Sequence, residues 1–215
     1  MKGKALAALV IGTSLVMATA AAAATIVGTP GDDVLRGTEH ADRISAFGGN
    51  DHVYARGGAD DVRAGSGDDG VRAGDGADLA YGGHGRDVVA GGNGGDRLYG
   101  GSDGDELHGG AGDDRASGNR GADDVTGGDG DDSLYGGWGA DRVFGGHGSD
   151  DLHALAADGD VDLLQCGPGR DRAWVLRSER PRTQVVDCEV VYLVDVLSLD
   201  QEEGENANAD TEADG

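Results

Sequence analysis

Large side chains are scarce in this chain. Of its 215 residues, aromatics make up 4%, and there are only two Met, three Pro and two Cys. Gly occupies 43 positions. A core of bulky residues layered between helices cannot be assembled from this inventory, which argues against a conventional globular enzyme. Positive charge is scarce too: 17 Lys and Arg face 41 Asp and Glu, for a net charge of -24. Such a field repels nucleic-acid phosphate, so nucleic acid is excluded as a preferred partner and a cationic one is expected. No nucleophile elbow, P-loop or zincin pattern occurs, and the scattered GxGxxG matches are by-products of a repeat. We therefore expect no catalytic residues and no organic cofactor.

Only one long apolar run is present. Lys2 and Lys4 precede apolar residues from Ala5 to Ala18, followed by small residues to Ala24. This is the three-part shape of a secretory signal, with cleavage expected after Ala23 or Ala24, so residues 1–24 are set aside as a leader. The run is short, rich in Ala and without a basic stop-transfer flank, and no second stretch approaches membrane-spanning length, so no membrane span is expected. In an oxidising compartment Cys166 and Cys188 read as a disulfide; two reduced, buried thiols are the alternative.

What is abundant is repetition. From Gly28 to His153 the chain divides into fourteen blocks of nine without an insertion or deletion. Block ten reads GGAGDDRAS from Gly109 to Ser117, and block twelve GGDGDDSLY from Gly127 to Tyr135. The sixth position is always Asp: Asp33, Asp42, Asp51, Asp60, Asp69, Asp78, Asp87, Asp96, Asp105, Asp114, Asp123, Asp132, Asp141 and Asp150. The eighth is always Leu, Ile, Val or Ala, and the fourth is Gly except at His40 and Asp103. Gly-Gly-x-Gly-x-Asp reads as a six-residue turn, and x-apolar-x as a short strand with one side chain turned inward. A helix of this period fails because the glycines fall too densely. Two blocks per circuit place one face of the strands inside, which predicts an all-β coil of stacked circuits over residues 25–153.

Stacked circuits bring each Asp near the Asp eighteen residues later, so like charges accumulate in two rows along the sides and oppose folding. A hard divalent cation removes that opposition. Calcium takes six to eight oxygens, accepts carbonyls with carboxylates and tolerates irregular geometry, whereas magnesium demands an octahedron and holds its water. Soft metals would want Cys or clustered His. Pairing across circuits allows at most about twelve such ions. Loss of the two leader lysines takes the charge from -24 to -26, near what twelve divalent ions would neutralise.

At these residues the sequence resembles the RTX, or haemolysin-type, calcium-binding nonapeptide repeat. The resemblance implies a right-handed parallel β-roll (β-helix) that is largely disordered without calcium and folds on binding it, with ligands from the sixth-position Asp side chains and from carbonyls of the turn residues. By that analogy the turn ligands are Gly82, Gly83, Gly85, Gly91, Gly92, Gly94, Gly109, Gly110, Gly112, Gly127, Gly128, Gly130, Gly136, Gly137, Gly139, Gly145, Gly146 and Gly148. The match is firmest from Asp69 to Asp150. In the first four blocks Thr29, Thr38, Phe47 and Arg56 stand at the second position, so those blocks are either degenerate sites or a cap; Asn119 is a further departure. Many members leave the cell by a C-terminal signal, whereas this chain looks more like small Sec-exported calcium-binding repeat proteins of actinobacteria.

After the repeats, glycine thins out and β-rich runs appear around Ala173–Arg177, Thr183–Val186 and Val190–Val196. Residues 154–199 read as a C-terminal β cap stapled by Cys166–Cys188, with a separate binding domain as the alternative. Residues 200–215 are acidic without large apolar residues and read as a disordered tail. His84 and His147, like His108 and His153, fall on opposite sides of a two-block circuit and are expected to be exposed and solvated. Tyr81 and Tyr99 stand one circuit apart and are expected to stack, as a cross-strand pair or a sugar platform. The functional expectation is a secreted, monomeric calcium-binding module with a structural or interaction role. An accessory part of an extracellular carbohydrate-active enzyme or adhesin is the alternative.

Overall fold

The computed structural model describes residues 15–17 and 22–195. Twenty strands alternate between two parallel ten-stranded sheets, odd-numbered strands in one and even-numbered in the other. The register is the one the blocks require: Leu98 lies opposite Ala116 in one sheet, and Leu107 opposite Val125 in the other, each offset by two blocks. The chain is therefore a parallel β-roll in which two nonapeptides complete one turn. No helix of the described residues is long and apolar enough to cross a membrane.

The eighth position builds the core. From Leu35 through Leu98 and Leu134 to Leu152, all fourteen of these side chains are buried between the sheets. Ala46, Ala55, Ala64 and Ala73, at the first position, are also buried, so these four blocks contribute two inward side chains where one was expected. The roll is thin because nothing larger than Leu or Ile enters it, and aromatic scarcity follows from that narrow section.

Strands are longer than the expected three residues. Val88–Asn93 begins at the seventh position of one block and ends at the third of the next, and the interior strands repeat this six-residue span. Only positions four to six remain as a corner. The second position lies inside the strand with positive φ, as at Gly83 (118°), where an added Cβ would overlap the carbonyl of Gly65. A glycine there lets adjacent turns approach within ladder distance.

Beyond His153 the C-terminal segment caps the repeats by prolonging both sheets. After Asp151–Ala154 the register offset grows from eighteen to twenty-one: Val143 lies opposite Leu164, and Leu152 opposite Ala173. The three expected β-rich runs are the strands Arg172–Leu176, Gln184–Val186 and Val190–Val194, and Leu163–Gln165 is an additional one. Cys166 and Cys188 form the disulfide, with Cα atoms 5.1 Å apart, and no described cysteine is free. Leu15–Met17, inside the segment read as a leader, pairs with Val34–Arg36. The rest of residues 1–21 and the expected tail lie outside the described residues.

Candidate metal-binding corners

Each corner ends on the sixth-position Asp, and these side chains turn inward. All fourteen are 0–4% exposed, so the two rows of Asp expected along the sides are drawn into the wall of the roll. From Asp51 onward their Oδ1 atoms accept the backbone N–H of the Asp one turn earlier, as from Asp78 to Asp96 at 2.8 Å and from Asp96 to Asp114 at 2.7 Å. Two continuous ladders result. One runs from Asp33 to Asp141 and the other from Asp42 to Asp150.

The second oxygen of most of these carboxylates has nothing to accept from. Oδ2 of Asp51, Asp60, Asp69, Asp78, Asp87, Asp96, Asp105, Asp114, Asp123, Asp132, Asp150 and Asp171 is buried without a hydrogen-bond partner. At Gly91 the Oδ2 of Asp96 and the carbonyl of Gly109 converge on the point where a Cβ would stand, the carbonyl 2.7 Å from it. The same convergence recurs at Gly82, Gly109, Gly118, Gly127 and Gly145, with Cys166 supplying the carbonyl at the last. Two acceptors facing one point need a proton or a cation between them.

The ionisation of these groups reflects that deficit. Burial pushes the Asp96 carboxyl up to about 7, offset in part by the Asp78 N–H and reinforced by the charges of Asp78 and Asp114. Asp132 is likewise raised to about 7, Asp87 to about 8 and Asp105 to about 9, burial being the largest cause in each and a neighbouring carboxylate of the same ladder adding to it. Among the described residues no three His, Cys, Asp or Glu side chains converge on one point. A cation here would therefore draw part of its shell from main-chain carbonyls, which suits calcium and not soft metals.

Three ladder members escape the count of nine. Asp162 accepts the N–H of Asp141, Asp171 that of Asp150, and Glu189 that of Asp171. The three residues Ala154 to Ala156 shift the phase, after which 157–165 and 166–174 are two more blocks, the second with Cys166 in place of the first Gly. The surviving signal is Asp-x-apolar at Asp162-Leu163-Leu164 and Asp171-Arg172-Ala173. Sequence reasoning also passed over the exposed fifth-position acids, where Asp32 accepts from Asn50 N–H and Asp113 from Asp131 N–H.

The histidines do not gather: His84 and His153 lie in one sheet, His108 and His147 in the other. His153, however, is 8% exposed and not solvated. It stacks between Tyr135 and Trp174, with Tyr192 continuing the column, and burial lowers its pKa to about 4. Tyr81 and Tyr99 stack as expected, ring centroids 4.9 Å apart and planes nearly parallel. Their faces cover one another, as in a cross-strand pair.

Comparison with known families agrees with this geometry. A family model described as the RTX calcium-binding nonapeptide repeat matches residues 27–62, 36–71, 63–98, 90–125, 99–134 and 117–152. Together these matches span 27–152, more than half of the chain. No curated protein matches it. The roll, its inward Asp ladders and this match coincide on the same residues, and the chain belongs to the RTX calcium-binding repeat family.

Proposed function

We propose that the chain is a secreted structural or interaction module whose roll is completed by calcium outside the cell. One observation carries this reading: twelve buried Oδ2 atoms have no donor, eleven of them on the sixth-position Asp of the repeats and the twelfth on Asp171. The residues that would hold the ions are the sixth-position Asp from Asp51 to Asp150, joined by Asp171, with carbonyls of turn glycines such as Gly100, Gly109, Gly127 and Gly145. Calcium bound at the corners supplies the positive charge that the ladders lack. Asp33 and Asp42, counted among the candidates on sequence, make bonds of a different kind.

The leader-like N-terminus supports export, and the paired cysteines fit an oxidising destination. Where calcium is scarce, repulsion along the two ladders holds the chain open and competent for transport; where it is plentiful, binding energy becomes folding energy. Circular dichroism of the protein from Thr25 onward should change from coil-like to β-rich on calcium titration, but not with equimolar magnesium, and calorimetry should count the sites. A chelator-treated sample as β-rich and heat-resistant as the calcium-loaded one would overturn this reading.

A further inference from the structure

Resting on the calcium reading above, we infer that Thr29 and Thr38 take the place of a cation in the first two blocks, so that Asp33 and Asp42 close their corners without one. At Asp42, Oδ2 accepts the N–H of Thr38 at 2.6 Å and lies 3.0 Å from its hydroxyl. At Asp33, Oδ2 accepts the N–H of Thr29 at 2.5 Å and its hydroxyl at 3.0 Å. Each hydroxyl in turn accepts an N–H from two residues on, Gly31 at 3.3 Å and His40 at 3.1 Å. Oδ2, the carboxylate oxygen that is orphaned in the next blocks, is thus doubly satisfied here, and the orphan left in block one is Asp33 Oδ1, which receives no N–H of an Asp one turn earlier.

The backbone of these corners differs accordingly. From block three onward the second position has positive φ, whether Phe47 (82°), Arg56 (88°) or Gly65 (117°); neither threonine does. The fourth position follows suit. Gly49 and Gly58 have positive φ, but Gly31 and His40 do not, and a Cβ on Gly31 would meet open space. His40 is tolerated because a threonine-closed corner does not require a glycine there. Phe47 and Arg56, by contrast, keep the left-handed conformation and leave Asp51 and Asp60 with orphaned Oδ2 atoms. The early departures therefore divide into two kinds: blocks one and two are closed from within, and blocks three and four keep the calcium-type corner.

The test is calcium stoichiometry by titration calorimetry on the protein from Thr25 onward. Asp33→Asn with Asp42→Asn should leave the number of bound ions unchanged, whereas Asp114→Asn with Asp132→Asn should lower it. Thr29→Gly with Thr38→Gly, which frees both carboxylates, should raise it. A loss of ions in the Asp33/Asp42 variant equal to that in the Asp114/Asp132 variant, or no gain in the glycine variant, overturns the inference while leaving the calcium reading intact. A wild-type chain that takes up no calcium overturns both.

Discussion

Replacing Asp96 by Asn should change stability in opposite directions with and without calcium. In the roll the Asp96 carboxyl is 1% exposed and its Oδ2 has no hydrogen-bond partner. Its pKa rises from 3.8 to about 7, chiefly through burial. At about 1.4 kcal/mol per pKa unit, forming the roll at neutral pH costs about 4 kcal/mol at this one group. Asparagine has the same shape without the charge. Its Oδ1 still accepts the Asp78 N–H, and an uncharged amide nitrogen takes the place of the orphaned Oδ2, on the side of Gly91 where the Gly109 carbonyl also lies. Allowing for the desolvation of the amide, the variant should gain about 2 kcal/mol in chelator. In calcium the sign reverses, since a site filled at a hundred times its dissociation constant is worth about 2.7 kcal/mol and the variant loses a ligand of that site. The assay is far-ultraviolet circular dichroism during urea unfolding, in chelator and in excess calcium. A variant that is less β-rich than wild type in both media would refute the reasoning.

Acid should partly replace calcium. Because the ladder carboxyls are raised, the folded chain holds protons that the unfolded one releases; their stabilisation is present below about 3.8 and is lost as pH rises through about 6 for Asp114, 7 for Asp132 and 9 for Asp105. The β signal in chelator should therefore grow between pH 9 and 4, and a flat profile would contradict the ladders. Replacing Cys166 and Cys188 by Ser opens a link across 22 residues and should cost about 3 kcal/mol, read as a lower melting temperature in calorimetry under saturating calcium. The His153 ring should titrate near pH 4 by nuclear magnetic resonance. Since that pKa is lowered, its contribution is present above pH 6.5 and is lost as pH falls towards 4. Asp132→Ala with Asp150→Ala should lower the ion count locally while distant turns still form, because each turn contacts mainly its neighbours.

Register and core were legible in the sequence because the nine-residue period never slips between Gly28 and His153, so the eighth position had to face inward throughout. The burial of the Asp row was not legible. Period alone places these residues at corners, and only the backbone shows that the carboxylates from Asp42 onward are drawn in by an N–H of the turn before. The six-residue strands were hidden because Gly-Gly carries low strand propensity, whereas here the pair joins the ladder through close approach to a neighbouring Gly carbonyl. Asp162 and Asp171 were missed since a three-residue step defeats a fixed count although local chemistry survives it. His153 looked solvated because Trp174, which closes the column over it from the side away from Tyr135, lies in a block that the count did not reach.

The eighteen-residue repeat of the ladder makes the length of this molecule adjustable in whole turns. Excising two adjacent blocks, for instance Gly82 to Tyr99, would rejoin strands already in register, carry each Asp to an equivalent partner and keep every column of side chains on its own wall. Excising a single block would instead transfer everything downstream to the opposite wall, setting Tyr135 and Trp174 beneath residues they have never met. Gene rearrangement can thus shorten or lengthen the roll in even steps and is penalised for odd ones.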